Sequence, residues 1–230
     1  MSWHEERGLP VIEGNLNRKI APLLLVCLVG IVVLGLGHHL WQQWHARREG
    51  MTRGLLTGDP CAPPCWQRFS PGTVVEKEAV VRKLRRMPGV GEVWERELKA
   101  GTGGVVIHWF WKTPWSGYNS IYLSNTGLLN AITLSVDFEL TVADLIDEYG
   151  VPEAIGPVVT GTPKPGSGAV NFFYPQYGLI CRVEVLPDYK PVLEPDSRVY
   201  AVVYQSRDYA LDPKLTRPWP GYGELEVSAP

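Results

Sequence analysis

Histidine is almost absent from the part of the chain that follows residue 60, where His108 is its only representative. A single imidazole excludes most histidine-based metal sites, and any Ser-His-Asp triad would have to use it. Cys181 and His108 are the one pair that offers a thiol with a base, yet a cysteine within a predicted strand is usually buried core. We therefore predict no catalytic residues, no metal site and no cofactor, with a Cys181-dependent enzyme as a minor alternative.

An excess of positive charge is also missing. The chain has 22 lysine and arginine residues against 24 aspartate and glutamate residues, which gives a net charge of −2. Nucleic-acid-binding domains usually carry a basic surface, so we expect no nucleic-acid partner. The basic residues of the segment 77–86 are interpreted as the solvated face of an amphipathic helix, with contact to an anionic partner as the alternative.

Charged residues are absent between Ile20 and Gly37. A run of this length nearly spans the hydrocarbon layer of a bilayer, and Trp41 follows at the depth where indole rings favour the headgroups. No small-residue cleavage site follows the run, so an anchor is favoured over a cleaved signal peptide. We therefore predict a single-pass protein of the cell membrane, with a transmembrane helix over residues 20–41 in contact with lipid.

Charge does not decide which side of the membrane the domain occupies, because basic residues flank the apolar run on both sides. Large domains are translocated largely regardless of charge, and Cys61 and Cys65 near the domain start suit an oxidising compartment. Residues 1–19 are therefore predicted to be a cytoplasmic tail, with the domain outside the cytoplasm. The two cysteines are interpreted as a disulfide; a metal site is a weak alternative, because no second ligand pair accompanies them.

The rest of the chain divides into a juxtamembrane linker at 42–60, a globular α+β domain at 61–206 and an extended tail with proline and tryptophan at 207–230. Amphipathic helices are predicted at 73–87, where Thr73 and Glu76 suggest a capping box, and at 140–149. Runs of β-branched and aromatic residues predict strands at 105–111, 120–124, 131–136, 169–174, 179–186 and 198–205. This order occurs twice, at about 61–137 and 138–206. The predicted fold class is therefore α+β, with an N-terminal transmembrane helix followed by two helix-plus-antiparallel-β-meander repeats.

The segment LTVADLIDEYGVPE at 140–153 resembles the helix-to-strand signature of the BamE/SmpA and β-lactamase-inhibitor-protein-like fold. Together with Pro64-Cys65-Trp66, Ser70-Pro71-Gly72 and FYPQYGL at 173–179, it is also similar to a group of uncharacterised bacterial membrane-anchored proteins, which brings no activity. The resemblance covers roughly residues 61–206 and implies helices on one face of a curved antiparallel sheet that is used for protein contacts. Unlike BamE, the chain has no lipoprotein cysteine after its apolar run, so an outer-membrane role does not follow.

Aromatic residues are concentrated between residues 109 and 122. The candidate binding residues are Trp109, Trp111, Trp115, Tyr118 and Tyr122, because tyrosine and tryptophan are common anchors of interfaces. The alternative is that alternate members of the run, such as Trp109 and Trp111, face the helices and form the core.

These features predict a membrane-tethered, extracytoplasmic binding or assembly module without catalytic activity. Its aromatic-rich sheet face would contact a protein or peptide partner in the cell envelope. A cell-envelope carbohydrate-binding protein is the main alternative, because exposed indole and phenol rings also stack on sugars.

Overall fold

The computed structural model describes residues 25–26, 28–37, 54–58, 60–98, 103–112, 117–160, 168–186, 190–207 and 216–225. The first two ranges belong to one unit of the chain and the others to a second unit, here called the domain. Residues 25–26 and 28–37 are helical and expose apolar side chains. No helix within the described ranges is long and apolar enough to span a membrane. The predicted tail 1–19, the ends of the apolar run at 20–24 and 38–41, and residues 42–53 lie outside the described residues.

The described part of the domain consists mainly of antiparallel strands: β1 (Val90–Glu97), β2 (Gly104–Trp111), β3 (Tyr118–Ser124), β4 (Leu129–Ser135), β5 (Ala154–Ile155), β6 (Val159–Thr160), β7 (Gly168–Tyr174), β8 (Leu179–Val185), β9 (Val192–Leu193), β10 (Val199–Gln205) and β11 (Gly223–Glu224). Nine of these strands form one sheet, in which eight follow the order β1-β2-β3-β4-β10-β8-β7-β5 and β6 also pairs with β7. β9 and β11 form a separate pair. The sheet therefore joins strands from both halves of the domain through β4 and β10.

Three α-helices lie in the described part of the domain, α1 (Gly54–Thr57), α2 (Lys77–Arg86) and α3 (Val142–Tyr149), and a short 3-10 helix covers Pro175–Tyr177. A capping box starts α3, since Thr141 Oγ1 accepts from the N–H of Asp144 and the Asp144 carboxylate accepts from the N–H of Thr141 at 2.9 Å. The capping box predicted for α2 is not formed, because Thr73 Oγ1 donates to the carbonyl of Ser70 at 2.6 Å instead. Both longer helices bury apolar side chains in the same core cluster, so they lie on the same face of the sheet.

The predicted fold class is wrong. The described domain is mostly one large antiparallel sheet with few helical residues, and no transmembrane helix is found among the described residues. The two predicted repeats are not separate units, because β4 pairs directly with β10 and one core continues beneath both halves. A physical reason is that each separate meander would leave an exposed edge at its last strand, and pairing the two edges satisfies the backbone groups of both.

The core lies between the sheet and the helices. Trp66 fills its first half, with its ring centroid 5.5 Å from that of Trp109 and 6.0 Å from that of Trp111. The end of the chain covers part of the second half, where Trp219 packs edge-on against Phe172 at 5.1 Å. Residues 216–225 therefore pack with the domain, while 208–215 and 226–230 lie outside the described residues.

Asn119 is a buried polar residue that ties three strands together at the start of β3. Its amide nitrogen donates to the carbonyl oxygens of Trp109 and Gly117, each at 3.2 Å. Its amide oxygen accepts from the N–H of Ser135 at 2.9 Å and from the Ser135 hydroxyl at 3.1 Å. Both ends of the amide group therefore have hydrogen-bond partners, so the burial of this polar side chain is compensated.

Candidate binding face of the sheet

The two faces of the sheet differ, and strand alternation decides which face each residue occupies. Trp109 is fully buried on the side of the helices, so its neighbours His108 and Phe110 point to the opposite side. We call this opposite side the open face, because the described helices all pack against the other one.

A row of directly opposed residues crosses the open face from β1 to β7. The strand register gives it as Trp94, His108, Ser120, Thr133, Val203, Ile180 and Phe173. The row begins with the aromatic rings of Trp94 and His108, continues through the polar residues Ser120 and Thr133, and ends with the apolar residues Val203, Ile180 and Phe173. Val203 and Phe173 are each only 9% exposed, so the part of the row that is accessible to a partner lies toward its β1 end.

The aromatic end of this row forms a cluster that we call the aromatic patch, defined by Trp94, His108, Phe110 and Tyr118. The Trp94 ring stacks on His108 at 5.4 Å between centroids and lies 5.0 Å from Phe110. Tyr118 packs on Phe110 at 4.8 Å and meets Trp94 edge-on at 6.2 Å. Tyr118 keeps 69% of its surface exposed, so the patch is open to a partner at that ring.

The five predicted binding residues do not share one surface. Trp109 and Trp111 are core residues, because alternation in β2 turns both toward the helices, where they are 0% and 3% exposed. Trp115 lies outside the described residues. Tyr118 belongs to the aromatic patch, and Tyr122 lies on the same open face, opposite Val106 of β2. The structure therefore places two of the predicted residues on the face that could meet a partner.

Sequence reasoning missed three members of the aromatic patch. Trp94 lies in β1, a strand that was not predicted because its sequence VGEVWERE carries four charged residues. His108 and Phe110 lie within a predicted strand, but they are not among the predicted binding residues. The alternation of β2, with aromatic rings at consecutive positions, was the signal that could have found them.

His108 has an environment that favours the neutral imidazole. Partial burial lowers the pKa of His108, and the nearby positive charge of Arg96 lowers it further. Its Nδ1 atom is buried and has no hydrogen-bond partner among the described residues. At neutral pH His108 therefore acts as a flat, uncharged ring in the aromatic patch, on which Trp94 stacks.

The predicted disulfide is confirmed. Cys61 and Cys65 are bonded with an S–S distance of 2.04 Å. The bond closes the loop that precedes Trp66, and the carbonyl of Pro63 in this loop accepts from Arg207 Nη2 at 3.0 Å. The disulfide therefore holds a loop whose next residue is part of the core.

The alternative thiol–imidazole pair is not brought together. Cys181 is fully buried on the helix side of β8, and burial raises the pKa of its thiol. His108 lies on the open face of β2, four strand spacings away in the sheet order, or roughly 19 Å at ~4.8 Å per strand. The described residues also contain no group of three or more His, Cys, Asp or Glu side chains placed to hold a metal ion.

No family model, no curated protein and no solved structure matched this chain. The resemblance to the BamE/SmpA and β-lactamase-inhibitor-protein-like fold therefore stays a prediction.

Proposed function

We propose that the chain is an extracytoplasmic binding or assembly module that holds a protein or peptide partner against the open face of its sheet. The observation that carries the proposal is the aromatic patch, where Trp94, Phe110 and Tyr118 gather on the side away from the helices. The proposal requires no cofactor.

Aromatic side chains bury large areas with few rotatable bonds, which is why they dominate the energetics of many interfaces. Tyr118 is the most accessible of the four rings, and its ring packs on that of Phe110 at 4.8 Å between centroids. A tyrosine at the centre of an interface often contributes about 2 kcal/mol or more, roughly a thirtyfold change in affinity. We therefore assign Tyr118 as the anchor residue of the contact.

A protein partner fits the ring geometry better than a linear sugar. Sugar rings stack on flat, exposed aromatic faces. In the patch, Tyr118 is tilted by 49° to Phe110 and stands at 75° to Trp94, so the rings form a notched surface instead of a flat one. An uneven aromatic surface suits the side chains of a peptide. Carbohydrate binding is the alternative, and the experiments below distinguish the two.

The disulfide supports the extracytoplasmic part of the proposal, because stable disulfides are rare in reducing compartments. A membrane-impermeant maleimide can test this part in intact cells, before and after mild reduction. Labelling of Cys61 and Cys65 only after reduction would support a disulfide-bonded domain outside the cytoplasm. Labelling only after lysis would place the domain in the cytoplasm and refute this part.

The binding face can be tested by site-specific photo-cross-linking in cells. A photoreactive phenylalanine replaces Tyr118, and the matched control carries it at Val151, an exposed apolar residue just after α3. We expect a discrete protein adduct from position 118, none from position 151, and loss of the adduct when Trp94→Ala is added. Thermal unfolding of each variant checks that the domain stays folded.

The proposal fails if position 118 gives no adduct or if both positions give the same adducts. Peptidoglycan sedimentation of the same variants separates the alternative. Co-sedimentation that depends on Trp94 and Tyr118, without a protein adduct, would reassign the face to carbohydrate binding.

A further inference from the structure

The free edge of the sheet at β1 is a second surface, separate from the open face. Among the described residues, β1 pairs with β2 only. An edge strand presents a row of backbone donors and acceptors on its outer side, and an extended peptide can pair with that row as an added strand.

The hydrogen-bond register identifies which backbone groups of β1 face outward. The N–H of Leu98, just after β1, donates to the carbonyl of Gly104 at 3.0 Å. Hydrogen-bonded and non-hydrogen-bonded pairs alternate along an antiparallel ladder, so residues 94 and 96 also bond to β2. Val93, Glu95 and Glu97 therefore turn their N–H and C=O groups away from the sheet.

Two of these three residues, Glu95 and Glu97, have acidic side chains. Glu95 and Glu97 are exposed on the helix side of β1. They border a cleft of about 570 Å³ whose lining includes Lys77, Glu95, Glu97, Leu98, Val105 and Leu123. Carboxylates at the rim and aliphatic side chains beneath suit the apolar stem and charged head of a lysine or arginine.

The charge of β1 indicates which kind of strand could pair with the edge. The strand carries three glutamates and one arginine, and the nearest cation on α2, Lys77, already pairs with Glu95 at 2.9 Å. Two copies of β1 side by side would bring like charges close together across the new pair, which is unfavourable. A segment of opposite charge is the complementary occupant.

We propose that the β1 edge receives an extended basic segment of the partner as an added strand, with lysine or arginine at alternate positions facing Glu95 and Glu97. This inference rests on the proposed function in one respect, namely that the partner is a protein. The intervening side chains of the segment would lie on the open-face side, beside Trp94.

Strand addition can be tested with the full chain in a mild non-ionic detergent and two synthetic peptides. The basic probe is Lys-Val-Lys-Val-Lys-Val-Lys, and its control has glutamate in place of every lysine. We expect the basic peptide alone to bind. We also expect it to slow amide hydrogen exchange at Val93, Glu95 and Glu97, with little change at residues 94 and 96, which already bond to β2.

Two variants are expected to change the affinity for the basic peptide in opposite directions. Glu95→Gln with Glu97→Gln is expected to weaken binding of the basic peptide about tenfold, since two cross-strand charge pairs are lost. Lys77→Met is expected to strengthen binding severalfold, because it frees Glu95 from its ion pair. A purely structural role for these residues would not give changes of opposite sign.

The inference is overturned if neither peptide binds, if both bind alike, or if binding leaves the three outward amides unprotected. Its failure is distinguishable from failure of the proposed function. Cross-linking at Tyr118 without protection of β1 removes the edge inference and leaves the open face as the binding surface. Protection of β1 without cross-linking at Tyr118 supports strand addition and removes the open face.

Discussion

Replacing Trp109 by alanine should destabilise the fold much more than replacing Tyr118 by alanine, although both residues lie in one aromatic run. Trp109 belongs to the core, whereas Tyr118 belongs to the binding face. Trp109 is fully buried and stacks on Trp66 at 5.5 Å. Truncating a buried tryptophan leaves a large cavity and commonly costs about 3–5 kcal/mol of folding free energy. Tyr118 is largely exposed and contacts Phe110 at 4.8 Å. Its truncation should cost no more than about 1 kcal/mol.

Urea unfolding of the full chain, followed by tryptophan fluorescence and circular dichroism, measures the difference. With a slope of about 2 kcal/mol per molar urea, Trp109→Ala should lower the midpoint by roughly 2 M and Tyr118→Ala by less than about 0.5 M. Tyr118→Phe is the matched control, because it keeps the ring and removes only the hydroxyl. Equal losses for the two alanine variants, or a larger loss for Tyr118→Ala, would refute the assignment of the two faces.

Three further predictions follow from single features. Asn119→Ala should lower the free energy of unfolding by about 2–3 kcal/mol in urea melts, because it leaves buried groups around β3 without partners. The Cys61→Ser/Cys65→Ser double variant should lose about 2 kcal/mol in the same assay, the entropic contribution of so short a loop. Cys181 should resist maleimide in the native chain and react after urea unfolding, because burial keeps its thiol protonated and inaccessible; native labelling, read by peptide mass spectrometry, would contradict this.

Elements with strong local signals were predictable from sequence. β2 and β3 were expected at 105–111 and 120–124 and are found at Gly104–Trp111 and Tyr118–Ser124. Helix α3 was expected at 140–149 and is found at Val142–Tyr149, between the N-cap Thr141 and Gly150, whose φ of +77° suits glycine. Each of these features is fixed by residues close together in the chain.

The arrangement of the strands was not predictable in the same way. The contact between β4 and β10 joins residues about 70 positions apart, such as Ser135 with Ala201. Nothing in the local pattern distinguishes strands that pair within one repeat from strands that pair across two, because both choices bury the same side chains on one face. The error of two separate repeats therefore arose from strand pairing, while several of the individual strands were placed correctly.

Whether an aromatic residue belongs to the candidate site depends on its odd or even position within the strand, because alternate side chains point to opposite faces of the sheet. In β2 the sequence HWFW at 108–111 sends His108 and Phe110 to one face and Trp109 and Trp111 to the other. Composition cannot tell the two sets apart, because both consist of aromatic rings within the same four residues. The register with β3 decides it, since Trp109 lies opposite Asn119, which is buried, and Phe110 lies opposite Tyr118, which is exposed. A binding face on this domain is therefore specified by alternation and register, and the largest side chains in the run are the ones that the core requires.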